Sequence, residues 1–347
     1  MFGTYRTLLA IAVVCTHLLL IPAIGQYAVH GFFILSGYLM TYIMHHTYGY
    51  DLKGIFRFGI NRFLRLYPTY WFILLVSILI IYFYGEDYSR AYKDALYIPK
   101  EKKEFIYNFS LIFPRWTPHL IHPRLSPPSW ALTVELLFYS LIAFGLSKTK
   151  RRTLIWFFSG VIYFVGTYFV GLGRGYRYDF ILAGGLTFSI GAIIYHYKRF
   201  ILSVLSQIGV KLNIYVLFIL LVFNAVLGSV THLKQDLSYI NEMNFYLNYI
   251  LNGLIIVYLI DNKLPFVSKS TDKSIGDYSY PIYLFHWQAG FAATMLLWGK
   301  PVLNNSFTGV LTVVVAFGLI IVLSKFSFIL IDVPIQKVRQ YVKGRVS

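Results

Sequence analysis

Charge is scarce in this chain. Lys, Arg, Asp and Glu make up 13% of its 347 residues, against roughly 25% in soluble domains. With 57% hydrophobic residues and a mean hydropathy of +0.62, that excludes an ordinary soluble globule and indicates a polytopic membrane protein. Cysteine is nearly absent. The one thiol, Cys15, sits in an apolar run and leaves no intrachain disulfide to form. Acidic residues are few, 14 against 31 basic ones, for a net charge of +17. Such an excess can serve nucleic acid, but the cations gather in short loops between apolar runs, so no nucleic-acid partner is expected. No internal repeat, low-complexity linker or second domain is visible. The first apolar run lacks the charged n-region and small-residue cleavage site of a signal peptide.

Aromatic residues and long apolar runs are what the sequence does hold. Tyr and Phe number 30 each, and Tyr favours membrane–water interfaces. A hydrocarbon core about 30 Å thick needs roughly 20 apolar residues in a helix. On that measure ten spans are expected, near 5–24, 28–46, 66–85, 129–147, 153–172, 178–197, 212–230, 245–260, 278–298 and 307–331. The run at 245–260 is short. With the N-terminus in the cytoplasm, nineteen of the 31 Lys and Arg fall inside and eleven outside, with Lys325 in the last span. Of the 14 acidic residues, eight fall outside and four in inner loops. The expected fold is therefore an all-α polytopic membrane protein of about ten transmembrane helices, both N- and C-termini cytoplasmic.

Ionisable residues inside such spans are costly and usually face a protein interior or a wet cavity. In "YRTLLAIAVVCTH", Arg6 and His17 are eleven residues apart. That is within about 20° of three full helical turns and about 16 Å of rise, so both lie on one helix face. Taken singly, Arg6 is a snorkelling anchor and His17 a buried, bonded histidine. Sharing a face favours a cavity leading in from the cytoplasm. "PPSWALTVELLFY" places Glu135 roughly 9 Å below the outer surface, at about the depth of His17. A carboxylate and an imidazole at one depth can pair, either to raise the basicity of the imidazole or merely to lock two helices. "NRFLRLYPTYW" puts Arg62 and Arg65 at the inner end of the third span, where guanidinium forks suit phosphates and also mark topology. "SIGDYSYPIYLFHWQ" puts His286 about 12 Å in from the inner side. Ser36 and Gly37 of "VHGFFILSGYL" fall in mid-membrane, where small residues usually serve close helix packing.

Together, in this order, these segments resemble the membrane acyltransferase-3 family. The landmarks are Arg6 with His17, Phe32–Leu39, Arg62 to Pro68, Pro127–Tyr139 and Tyr278–Trp287, with "ILIDVP" as a form of the family's acidic-residue–x–proline finish at Asp332 and Pro334. The resemblance implies an integral-membrane O-acyltransferase, transferring groups other than aminoacyl groups. Its donor would be acetyl-CoA or another acyl-CoA used from the cytoplasm. Its acceptor would be a hydroxyl on the outer side, on a glycan or lipid-linked glycan such as lipopolysaccharide O-antigen. It also implies a bacterial inner-membrane location among membrane lipids, with no metal, and it leaves the oligomeric state open. On this reading His17 and Glu135 are catalytic, His17 acting as general base or transient acyl carrier. Arg6, Arg62, Arg65, Tyr67 and His286 serve the donor, and Ser36, Trp130 and Trp287 the acceptor. The chain is read as one transmembrane acyltransferase domain, 1–347, with no appended extracytoplasmic domain. One departure is His30-Gly31 before the Phe-Phe pair, where the family often has Asp.

Two other classes compete. A proton-coupled transporter or exporter of glycans or lipid-linked intermediates also uses buried His, Glu and Arg, although such proteins commonly show inverted repeats. A haem-binding cytochrome would use His17 and His286, whose expected depths differ by about 8 Å.

Overall fold

The computed structural model describes residues 2–342. Lys343 and Arg345, counted above among the inner basic residues, lie outside the described residues. The chain is helical, with no strand among the described residues. In order the helices are α1 (Gly3–Leu18), α2 (Ile24–Ile43), α3 (Leu52–Tyr84), α4 (Glu86–Tyr92), α5 (Lys102–Ser110), α6 (Trp130–Ala143), α7 (Lys150–Phe169), α8 (Gly175–Tyr178), α9 (Ala183–Gln207), α10 (Ile214–His232), α11 (Ser238–Asp261), α12 (Lys269–Trp298), α13 (Phe307–Ser327) and α14 (Val333–Val342).

Six helical segments are long and apolar enough to cross a membrane: Ile24–Tyr48, Leu52–Tyr84, Gly175–Gln207, Ile214–His232, Ser238–Asp261 and Phe307–Val342. The other four expected spans are also helical, as α1, α6, α7 and α12, with 16, 14, 20 and 30 residues. The first ends short of expectation. α1 stops at Leu18, and the chain then turns through Leu20 at φ 54° and Ala23 at φ 66°. Pro22 explains the stop, since it lacks an N–H and disfavours helical backbone at Ile21. α3 and α12 instead carry Pro68 and Pro281 in their interiors, each forfeiting one backbone hydrogen bond.

The helices group into two compact units. One comprises the stretch ending at Leu9, Pro22–Ile55 and Glu135–Gly276; the other comprises Ala10–Ile21, Phe56–Val134 and the stretch from Asp277 onward. In the first unit α2 packs on α9, and α10 on α11. A Cβ on Gly37 would come 2.0 Å from the Phe188 carbonyl oxygen, and one on Gly191 2.0 Å from that of Ile34. The two backbones therefore touch, as small residues permit when no hydrophobic force drives helices together in lipid. α11 runs for 24 residues, longer than the weak apolar run suggested. Asn241, Asn244, Asn248 and Asn252 dilute its hydropathy but are buried on one face. Asn241 donates to the Gly228 carbonyl at 2.9 Å, and Asn248 to that of Tyr27 at 3.2 Å. Tyr5 donates to Asn252 at 2.5 Å. These bonds compensate the burial of the Asn241, Asn248 and Asn252 amides.

In the second unit the loop before α6 is stitched to α12. Tyr283 OH donates to the Pro128 carbonyl at 3.1 Å, and Ser126 Oγ to that of Leu284 at 3.3 Å. Gln288 Nε2 reaches both Ser77 Oγ and the Leu125 carbonyl at 2.7 Å. Arg124, only 4% exposed, donates to the carbonyls of Pro127, His119 and Ile121. Its guanidinium supplies the donors these turn carbonyls need once water is excluded.

Candidate functional site

The second unit brings His17, His286 and Trp287 together. His17 occupies the last turn of α1 and is half-buried. Its imidazole stacks on that of His286, with ring centroids 5.2 Å apart and planes 9° from parallel. Trp287 lies against His17 at 5.2 Å and 42°. Tyr92 meets the indole edge-on at 5.8 Å, and Lys93 Nζ lies 5.4 Å from its centroid. Gly290, one turn beyond His286 on α12, admits this packing. A Cβ there would stand 2.4 Å from the Tyr92 hydroxyl and 2.7 Å from a Leu18 methyl.

His286 is fully buried. Its Nδ1 lies 2.6 Å from the Tyr283 carbonyl oxygen. A carbonyl only accepts, so Nδ1 carries the proton and Nε2 presents a lone pair. That Nε2 is buried and makes no hydrogen bond among the described residues. The expected depth difference between the two histidines is corrected here, because it assumed that both helices begin at the membrane edge. α12 starts at Lys269 and α1 ends at Leu18, and their side chains converge. Face-to-face stacking also disfavours shared axial ligation of a haem, since imidazole lone pairs lie in the ring plane, not above it. Among the described residues no group of three or more His, Cys, Asp and Glu could hold a metal ion.

Arg62 and Arg65 are drawn into structure. Arg65 Nη1 pairs with Asp332 Oδ1 at 3.4 Å, both side chains being mostly buried, and its guanidinium lies 5.8 Å from the Tyr280 ring. Tyr280 OH in turn donates to the Leu66 carbonyl at 3.0 Å. Three landmark segments thus meet around Arg65. Arg62 donates to Asn61 Oδ1 at 3.1 Å, and Arg339 Nη2 reaches the same oxygen at 3.4 Å. The Tyr67 hydroxyl goes to the Ser110 carbonyl at 2.7 Å, and Trp130 lies against His119 with centroids 6.0 Å apart.

In the first unit Glu135 has hydroxyl partners. Tyr139 OH donates to Oε2 at 2.8 Å and Ser36 Oγ to Oε1 at 3.3 Å, with the two hydroxyls 3.2 Å apart. Ser36 therefore meets the carboxylate, while its neighbour Gly37 supplies the helix contact. Arg6 follows the start of α1, whose backbone N–H groups at Gly3 and Thr4 donate to Asp272 at 3.0 and 2.9 Å. Burial opposes charge on Asp272, but these donors hold its carboxyl below the usual range. A Cβ on Gly276 would fall 2.9 Å from Arg6 Nη2, so the guanidinium lies close over that backbone. His30, in place of the family's usual Asp, is ringed edge-on by Tyr178, Phe245 and Tyr249 at 4.8–5.2 Å.

Sequence reasoning missed Tyr92 and Lys93, which stand at the end of α4 with no motif around them. It also passed over Tyr195–Phe200, where the alternation of aromatic and basic residues was the available signal.

The family model described as an acyltransferase domain matches residues 4–325. Comparison with curated proteins and with solved structures finds no match. The matched range spans every landmark up to α13 and includes both histidines of the stacked pair, and the helices are those of a membrane protein. This chain is a member of the membrane acyltransferase-3 family.

Proposed function

We propose that the protein moves an acyl group, acetyl first among the candidates, from cytoplasmic acyl-CoA to a hydroxyl of a surface glycan on the outer side of a bacterial inner membrane. The acceptor class is lipopolysaccharide O-antigen or a related lipid-linked glycan. Ten membrane passages with both termini cytoplasmic would place the inner arginines on the donor side and the Pro127–Trp130 loop on the acceptor side. The observation that carries this reading is the stacked His17–His286 pair, formed by two family landmarks 269 positions apart in a chain whose family transfers acyl groups.

His17 serves as general base, taking the proton of the acceptor hydroxyl. The alkoxide oxygen attacks the thioester carbonyl, the ester C–O bond forms and the C–S bond breaks. The coenzyme A thiolate leaves and recovers the proton from the imidazolium. The end of α1, with its outward carbonyls, favours the positive charge that His17 carries in between. His286 acts through His17, since its face fixes the plane in which the base presents its nitrogen. Glu135, held by Tyr139 and Ser36, is the second catalytic residue. Arg6 and Arg62 give the inner side a positive charge that attracts an anionic donor, Arg65 being paired to Asp332.

Purified protein in detergent, given acetyl-CoA and a glycan acceptor without any gradient, should release free coenzyme A and yield an acetylated glycan. His17→Ala should abolish both while the variant still inserts and purifies. Normal turnover by His17→Ala would remove His17 from the chemistry. Absence of transfer from every acyl-CoA, with gradient-driven glycan movement in vesicles, would replace the enzyme by an exporter.

A further inference from the structure

The first unit contains a cavity of about 560 Å³ that none of the residues assigned above uses. It falls within the roughly 300–1,000 Å³ typical of small-molecule sites. Its wall comes from the end of α2, the start of α7, the middle of α9 and the end of α11. Tyr38 and Tyr42 lie 6.1 Å apart with planes 28° from parallel, and Tyr195 closes on Tyr42 edge-on at 6.2 Å. Tyr195 is itself held by stacking on His45 at 4.9 Å. The aromatic faces are therefore fixed before any ligand arrives.

The same cavity is lined by cations. Lys150, Lys198 and Arg199 line the cavity together with His196. Lys198 is held by Asp261, 2.6 Å from both carboxylate oxygens. Lys150 Nζ lies 5.7 Å from the Tyr197 centroid, and Arg199 is exposed. One carboxylate against three cations leaves a net positive pocket. Aromatic faces interleaved with Lys and Arg are what a phosphorylated aromatic base requires. The rings stack on the base, and the cations take up the phosphate charge. Every wall segment also belongs to the side that the positive-inside bias assigns to the cytoplasm.

We propose that this cavity binds the adenine and phosphates of the acyl-CoA donor, with Tyr42 and Tyr195 against the base and Lys150 and Arg199 on the phosphates. This rests on the donor class proposed above. It moves the nucleotide end away from Arg62 and Arg65, of which Arg65 is already paired to Asp332.

The test uses the full chain in detergent and two donors, acetyl-CoA and acetyl-pantetheine, the second lacking the nucleotide. The Lys150→Ala/Arg199→Ala double variant should lower the ratio of kcat/KM for acetyl-CoA over acetyl-pantetheine by at least tenfold. It should weaken competition by adenosine 3′,5′-bisphosphate to the same degree, and Arg199→Lys should recover part of it. Inorganic phosphate should compete far less well than the bisphosphate. An unchanged ratio in an enzyme that still uses acetyl-CoA would overturn the site and leave the donor reading standing. Loss of phosphatidylglycerol binding in nanodiscs, with bisphosphate competition intact, would make the cavity a lipid-headgroup site and also overturn it. If neither donor supports transfer, the donor reading falls and this site with it.

Discussion

The imidazole of His17 lies parallel to that of His286 at a centroid distance of 5.2 Å. The proton on His286 is directed to the Tyr283 carbonyl. A stack fixes the plane of a ring without consuming its in-plane nitrogens.

Exchanges at His286 separate ring from nitrogen. His286→Phe keeps an aromatic face, whereas His286→Ala leaves a hole beside the half-buried His17. If His286 only positions His17, His286→Phe should retain about a tenth or more of kcat and His286→Ala about a hundredth, with KM for the donor little changed. Steady-state kinetics on both variants decides the matter. Equal and complete loss in both would give the Nε2 nitrogen a direct part in the chemistry.

Removing the charge of Glu135 should be felt in kcat more than in donor binding. Glu135→Gln keeps the shape but weakens the bonds from Tyr139 and Ser36, which are stronger to an ionised acceptor. Turnover should fall by about two orders of magnitude, and Tyr139→Phe should fall less, since Ser36 still holds one oxygen. Isothermal titration with coenzyme A beside the kinetics would expose the contrary case, in which donor affinity collapses and chemistry survives.

The Arg65–Asp332 pair should behave as a structural clamp. Its side chains are 14% and 7% exposed, so removing either partner leaves a mostly buried charge, at a cost of about 3–5 kcal/mol. Asp332→Ala should lower the unfolding midpoint in detergent strongly, and Arg65→Met/Asp332→Leu should recover much of the loss. Strictly additive losses in the double variant would dissolve the pair as an energetic unit.

Acid should loosen the loop before α6. Burial, then the Arg124 guanidinium and the nearby His122, Arg115 and Lys93, push the His119 imidazole down to about 4. The unfolded loop takes up its proton near pH 6.5, so the folded loop is neutral there while the unfolded one is charged. Stability from this source is complete above about pH 6.5 and is lost as pH falls toward 4. Hydrogen exchange over residues 111–129, corrected for intrinsic rates, should show opening increase across that window. His119→Asn should flatten the response; the same response in that variant would assign it to another group.

The sequence by itself determined that the protein is helical and membrane-embedded, because apolar run length and scarcity of charge follow from what lipid tolerates. It also determined the family, because the five landmarks retain their order along the chain. His17, His286 and Trp287 could each be named, yet their depths were measured from assumed helix ends. Pro22 and the long lead of α12 move those ends, and only tertiary packing places the two imidazoles face to face. The asparagine face of α11 reads as a weak span until its partners on neighbouring helices are seen. Arg65 reads as a free cation until Asp332, far along the chain, is found beside it. Local pattern fixes what a segment is, since helix period and hydropathy are properties of neighbours in sequence. Which polar groups satisfy one another depends on contacts between distant segments, and in a low-dielectric interior those contacts decide whether a side chain is structure or chemistry.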